Sequence, residues 1–314
     1  MTIDFVPPSL TLPRAQVGCS RLGPSKDDRT REHPRSDGGE DRAEQAETFA
    51  ANRAVGRIAL AVKQHAGITR RAHVFEEGPL RVRLPGVPAR EAEAVIVNTA
   101  GGIAGGDRLD IAVTAGEGTS LVVTSAAAEK IYRALGPPAE IGVTLNAGAG
   151  ASLAWMPQET ILFDRARLAR SIDVALAADA RLLLAEAVVF GRTAMGEAVE
   201  QGCFTDRWRV RRGGRLIYAE SVALEGAIAA RLAEPAIAGG RVAAATVLVV
   251  PGGEAAVAAV RACGQDCKAE VGISSWNGIA LVRLCAVDGA TLRHDLALVL
   301  RTLRGKALPR LWQS

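Results

Sequence analysis

The sequence predicts a mainly β fold: stacked β-hairpin repeats of β-helical or solenoid-like form, with two helices in a C-terminal βαββα cap. Three observations carry this. Apolar positions recur eight residues apart, so that Val113 is answered by Leu121, Leu145 by Leu153, Val174 by Leu182 and Trp208 by Leu216. Between them lie small or polar tips: Gly116-Glu117-Gly118, Gly148-Ala149-Gly150, Ala178-Asp179-Ala180 and Arg211-Arg212-Gly213-Gly214. The approaching segments alternate with period two, as in Ile141 to Leu145 and Ile172 to Leu176. Each unit therefore reads as strand, tight turn and returning strand, recurring about every thirty residues. Stacking such units buries one continuous apolar layer.

The chain divides at about residue 50. Arg21 to Glu47 alternates acids and bases, is punctuated by Pro24, Pro34, Gly38 and Gly39, and has only scattered apolar side chains. Such a segment buries too little surface to offset its ordering entropy, so residues 1–50 are expected to form a disordered arm with at most a short helix over Asp41 to Ala51. Residues 51–314 form the β-rich domain, with the cap over about 242–314. Within the cap, Thr246 to Val250 reads as a strand. Pro251-Gly252-Gly253 opens a helical run from Glu254 to Cys263. Ala269 to Ser275 and Ile279 to Ala286 flank the hairpin turn Asn277-Gly278, and Leu292 to Leu303 has helical spacing that stops at Gly305.

Composition narrows the function classes. A net charge of +4 with dispersed arginines, and 4% aromatic residues, argue against nucleic-acid binding. No apolar run reaches the length of a membrane span, and Met1 to Pro8 lacks the basic lead of a secretion signal. Five cysteines without a regular framework suit a reducing cytoplasm.

The densest glycine cluster is Asn98-Thr99-Ala100-Gly101-Gly102-Ile103-Ala104-Gly105-Gly106-Asp107. A phosphate-binding loop would end in Gly-Lys-Ser/Thr and open a helix, but Asp107 stands where the lysine should be. The alternating Leu109 to Thr114 that follows reads as a strand, which also excludes a dinucleotide fingerprint. The loop joins two strands. No Ser-His-Asp order, Gly-x-Ser-x-Gly elbow or His-Glu-x-x-His motif is present. His33, His65, His73 and His294 are scattered, and Cys263-x-x-x-Cys267 is half a zinc site without its second half. The acids are more suggestive. Each returning strand is followed by an acid, Glu129, Glu159, Glu186 or Glu220, and stacking would bring them near one another and near Asp107. Oxygen ligands without thiolates or paired imidazoles make a labile path for a divalent cation. The alternative is that they are solvated or pair with arginines such as Arg133, Arg165 and Arg192.

Six segments, in order, carry a resemblance. Thr99 to Asp107, Pro157-Gln158-Glu159-Thr160-Ile161-Leu162-Phe163-Asp164, Leu183 to Glu186, Phe190-Gly191-Arg192, Met195-Gly196-Glu197 and Pro309-Arg310-Leu311-Trp312 resemble the motifs of the urease accessory protein UreD family, also called UreH. Gly78 to Val82 is similar to the family's early Gly-Pro-Leu segment. The resemblance runs from about Val55 to the C-terminus and leaves out only the arm, which is longer than the family's usual lead-in. It implies a non-catalytic scaffold of mainly β, helical-like fold with two helices. Such proteins join UreF and the GTPase UreG on apo-urease and assist nickel insertion, with nickel thought to pass through an internal channel. No tightly bound cofactor is implied, only transient nickel(II). Asp107, Glu129, Glu159, Asp164 and Glu186 are the candidate nickel path because they lie in or beside these motifs; Gly101, Gly102, Gly105 and Gly106 are the structural loop. The competing reading is a small-molecule enzyme using the glycine loop and nearby acids, although no nucleophile or base is positioned by a second residue.

Overall fold

A computed structural model describes residues 53–313. The arm, and the short helix expected at its end, lie outside them.

The chain opens with β1 (Val55–His65), β2 (Ile68–Glu77), β3 (Leu80–Arg83) and β4 (Glu91–Asn98), then enters the repeat. The repeat consists of β5 (Arg108–Ala115), β6 (Ser120–Ser125), β7 (Glu129–Ile131), β8 (Ala139–Ala147), β9 (Ser152–Trp155), β10 (Thr160–Leu162), β11 (Arg167–Leu176) and β12 (Arg181–Phe190). A long pair follows, β13 (Gln201–Arg212) and β14 (Arg215–Ala227), and then a one-turn helix α1 (Ile228–Ala233). The chain ends with β15 (Ala243–Val250), α2 (Glu254–Gly264), β16 (Glu270–Trp276), β17 (Ile279–Ala286) and α3 (Gly289–Arg304).

Two sheets face each other. The first is ordered β14-β13-β11-β8-β5-β1-β2 and the second β16-β17-β15-β12-β9-β6-β4-β3, with β10 bridging β12 and β7. Strands β1, β5, β8, β11 and β13 pair in parallel in the first sheet, as do β4, β6, β9 and β12 in the second. The chain thus alternates between sheets and climbs one coil per repeat, which is the stacked, solenoid-like architecture expected.

One detail differs from expectation. In the first three units the two strands do not form a hydrogen-bonded hairpin; they arch from one sheet to the other. The cause lies in the turns. Thr119, Ala151 and Ala180 are buried at the turn's end, and their amides donate back to the carbonyls of Gly116, Gly148 and Ala177 at 3.2, 3.1 and 3.2 Å. This inward residue rotates the backbone into the opposite sheet, so Val113 and Leu121 share one interior rather than one ladder. Only the fourth unit is a true hairpin: β13 and β14 pair antiparallel across Gly213 and Gly214, whose φ of 54° and 80° suit a tight reversal.

The interior between the sheets is the larger core, filled by residues such as Leu121, Leu145, Leu153, Leu168, Ile172 and Leu184. A second core lies on the outer face of the second sheet. There Leu183, Ala185, Ala187 and Val189 of β12 meet Leu292, Leu296, Val299 and Leu300 of α3. Both faces of β12 are covered, which explains its unbroken apolar run from Leu182 to Leu184 and from Ala187 to Phe190. The last segment has the βαββα order expected, its strands continuing the second sheet through β12·β15, β15·β17 and β17·β16. Asn277 and Gly278, at φ 49° and 76°, make the hairpin turn, and Gly305, at 63°, ends α3. The helix α1 was not legible in the spacing.

Candidate functional site

The glycine loop joins β4 to β5 and opens no helix. Its glycines serve two different ends. Gly101 and Gly106 hold φ of 76° and 86°, where a side chain is strained. Gly105 is demanded by contact instead, and Gly102, at φ 159°, has the Tyr132 ring against it as well. A Cβ on Gly102 would lie 2.7 Å from Tyr132 Cζ, and one on Gly105 would lie 2.8 Å from the Pro137 carbonyl oxygen. Asp107 closes the loop: its Oδ1 accepts from the Ala54 amide at 2.9 Å and its Oδ2 from the Ala104 amide at 2.7 Å.

The same rim of the coil carries the next motifs. Tyr132 donates to the Gly101 carbonyl at 3.0 Å and meets Phe163 edge-to-face at 5.2 Å. The Arg192 guanidinium lies 4.2 Å over Phe163 and pairs with Glu197. Asp164 accepts from the Gln201 amide at 3.1 Å and sits 3.6 Å from Arg165. On the far side Pro157 to Glu159 and the C-terminal motif meet: Arg293 of α3 pairs with Glu159 at 3.0 Å, donates to the Leu311 carbonyl at 2.9 Å, and lies 5.2 Å over the Trp312 ring. Trp312 in turn donates to Thr124 Oγ1 at 3.2 Å and to the Met156 carbonyl at 3.0 Å.

Of the five candidate acids, Glu186 is the one seated deep in the interior. It shares the inward side of β12 with Leu184 and Val188. There Arg170 of β11 bridges it to Asp206 of β13. Arg170 Nε and Nη2 donate to the two oxygens of Asp206 at 3.1 and 2.6 Å, its Nη1 donates to Glu186, and Trp155 Nε1 donates to Glu186 at 2.7 Å. All three charged residues are buried. Burial pushes the Glu186 carboxyl up, against the pull of Arg170. Burial also opposes the charge on Arg170, but Asp206 and Glu186 outweigh it and hold the guanidinium protonated.

Glu129, at the start of β7, accepts from Asn98 Nδ2 at 3.0 Å, and burial raises its carboxyl to about 7. Glu159 faces the helices rather than the interior, while Asp107 and Asp164 lie in rim loops. Among the described residues no three His, Cys, Asp or Glu side chains converge as a metal cage. Cys263 and Cys267 sit at the end of α2, where burial raises the Cys267 thiol to about 11. His65 and His73 are exposed on β1 and β2, and His294 Nδ1 lies 2.9 Å from Asp295.

Arg170 and Asp206 were missed in the sequence, yet their parity marks them. Arg170 alternates in step with Leu168 and Ile172, and Asp206 with Phe204 and Trp208, so both must point where those apolar residues point. From this triad polar groups continue to the open edge between the sheets. Thr246 pairs in register with Glu186 and with Arg283; Arg283 donates to Thr246 Oγ1 at 3.0 Å and pairs with Glu220 at 2.7 Å; and Tyr218 donates to Glu220.

The chain matches the family described as UreD urease accessory protein over residues 54–313. It is 57% identical over 269 residues to the urease accessory protein UreD of Rhodopseudomonas palustris (strain BisB18), covering 86% of this chain and 97% of that protein. It is 55% identical over 267 residues to urease accessory protein UreD 3 of Bradyrhizobium sp. (strain BTAi1 / ATCC BAA-1182), covering 85% and 96%. A UreD of Bradyrhizobium diazoefficiens is 54% identical over 264 residues, covering 84% and 95%.

Proposed function

We propose that this chain, which belongs to the UreD family of urease accessory proteins, is a non-catalytic scaffold that helps insert nickel into apo-urease. It works in the cytoplasm with UreF and the GTPase UreG, and nickel(II) passes in transit without a tight resident site. No described helix is long and apolar enough to cross a membrane.

The single observation that carries the interior route is the placement of Glu186 and Asp206. Charged side chains rarely occupy inward positions of a strand, because desolvation is costly unless the charge is used or paired. Here two carboxylates stand between the sheets, and hydroxyl, carboxylate and guanidinium groups continue from them to Glu220 and the half-exposed Arg283. Oxygen ligands of this kind bind a divalent cation weakly enough to release it, as transit requires. Asp107, Glu129, Glu159 and Asp164 remain candidate stops along or beside the path.

The test is nickel per urease active site after co-expression of urease and its accessory proteins with each variant: Asp107→Ala, Glu129→Ala, Glu159→Ala, Asp164→Ala, Glu186→Gln and Asp206→Asn. Transit variants should still assemble, and UreG should still hydrolyse GTP, while urease stays short of nickel. Fully loaded urease with every variant, and with all combined, overturns the route. Loss of assembly would instead make these acids structural.

A further inference from the structure

The second sheet shows how this chain covers an outward sheet face. There a floor of small residues, Ala154, Ala185, Ala187 and Ala245, carries Leu292, Leu296, Val299 and Leu300 of α3. Ion pairs pin the helix near either end, Arg293 to Glu159 at 3.0 Å and Arg304 to Glu91 at 2.9 Å. Among the described residues the outward face of the first sheet has a similar floor and no such helix. The helices α2 and α3 pack on strands of the second sheet, and α1 turns Ile228 and Leu232 into the interior core.

Strand register lays out this second floor. Gly142 and Ser171 lie in one row, Ala112 and Thr144 in the next, and the rows end on Arg207 and Arg209 of β13. The small residues span β5, β8 and β11, about 10 Å of sheet, which is the width of one helix. At the opposite border Phe75 is 46% exposed, and a cavity of about 180 Å³ opens between Phe75, Arg57 and Thr144. A cavity of this size holds one leucine- or phenylalanine-sized side chain. The charges are one-sided. Arg207, Arg209 and Arg211 alternate on β13 with the buried Trp208 and Val210, and among the described residues none of the three pairs with a carboxylate. Arg207 Nε is buried with no hydrogen-bond partner. Asp110 is already held by Arg108 at 3.2 Å, and Asp173, in register beside Arg209, is one charge against three. An unmet donor and a row of unpaired cations along one flank of a trough are satisfied by an acidic partner.

We propose that the outward face of the first sheet is a docking surface for one amphipathic helix of a protein partner. The helix lays small and apolar residues on the floor of β5, β8 and β11, puts one large apolar side chain into the cavity beside Phe75, and turns acidic residues towards Arg207, Arg209 and Arg211. The inference goes beyond the nickel route and needs no metal. Thr144 and Ser171 make this floor more polar than the alanine floor under α3, which suits a helix that docks and leaves rather than one that is part of the fold.

The experiment titrates the full chain into a fluorescent synthetic helix of about twenty residues, long enough to hold its form, with Ala and Leu along one face and Glu along one flank. A twin peptide carries Lys in place of Glu. The natural chain should bind the Glu peptide about ten-fold tighter than the Lys peptide. Arg207→Glu/Arg209→Glu/Arg211→Glu should lose that preference. Arg261→Glu/Lys268→Glu/Arg301→Glu makes the same change of net charge at exposed positions on the α2 and α3 side, and it should keep the preference. Phe75→Ala changes no charge and should weaken binding of the Glu peptide about three-fold or more, because it removes the cavity wall. No preference in the natural chain, an equal loss in the two charge variants, or no effect of Phe75→Ala overturns the inference. If the triple β13 variant does not fold, Arg209→Glu/Arg211→Glu is read instead; a loss of about three-fold is expected, and no loss overturns the idea.

Discussion

Arg170 and Asp206 lie on neighbouring parallel strands of the first sheet, and the guanidinium grips both carboxylate oxygens, at 3.1 and 2.6 Å. The pair is buried, so its members depend on each other strongly. Removing one partner of such a pair leaves an uncompensated charge. Asp206→Ala should destabilise the chain by about 3–5 kcal/mol, whereas the neutral triple variant Arg170→Met/Glu186→Gln/Asp206→Asn should lie much closer to the natural stability. Denaturant midpoints decide this, and a triple variant less stable than Asp206→Ala would show the charges to be cooperative supports of the fold.

The glycine loop separates strain from contact. Gly101 holds φ 76° with open space around its missing side chain, so Gly101→Ala should cost about 1 kcal/mol from backbone strain alone. Gly105 lacks a positive φ, but its Cβ would press on Ala134 and Pro137. Gly105→Ala should therefore cost about 1–3 kcal/mol and disturb the rim. Melting temperatures of the two variants should fall in that order; an unchanged value for Gly105→Ala would mean the loop yields freely.

The C-terminus is a latch. Trp312 is buried, donates to Thr124 and Met156, and is covered by Arg293. Trp312→Ala should cost about 3–5 kcal/mol, since it removes a large core side chain and two hydrogen bonds. A loss below about 1 kcal/mol would place the last residues outside the cooperative unit.

Glu129 predicts a pH dependence. Its carboxyl sits at about 7 in the folded chain, against about 4.5 when unfolded. The folded state therefore holds the proton more tightly. Its stabilising effect is complete below pH of about 4.5 and is lost as pH rises through about 7, a swing on the order of 3 kcal/mol. Glu129→Gln removes that slope. The variant should be more stable than the natural chain at pH 8, and the difference should vanish towards pH 4.5. A difference that does not vary with pH would show that Glu129 is ionised in the folded chain.

Much of this molecule was legible in its residues. The eight-residue recurrence of Val113 with Leu121, and of Leu145 with Leu153, marked the coil because period-two alternation is a local property that survives into the folded chain. The turns at Asn277-Gly278 and Gly305 were equally local, since their φ values are ones glycine and asparagine adopt readily. The motifs that resemble the UreD family were contiguous strings, and they led to the family that the match over residues 54–313 establishes.

Tertiary structure decided what depends on which strand lies beside which. No local rule told an arch from a hairpin at Gly116 to Thr119, because both use small residues; the choice follows from whether Thr119 turns into the shared interior. The acids divided in the same way. Glu159 and Glu186 look alike in the sequence, but Glu159, just before β10, meets Arg293 on a helix, while Glu186, on the inward side of β12, meets Arg170, which also grips Asp206. Residues 170, 186 and 206 are far apart in the chain and come together only when β11 and β13 pair in parallel register and β12 packs across from them in the other sheet. That register is fixed by burial of the whole apolar layer, a global energy that no single segment contains.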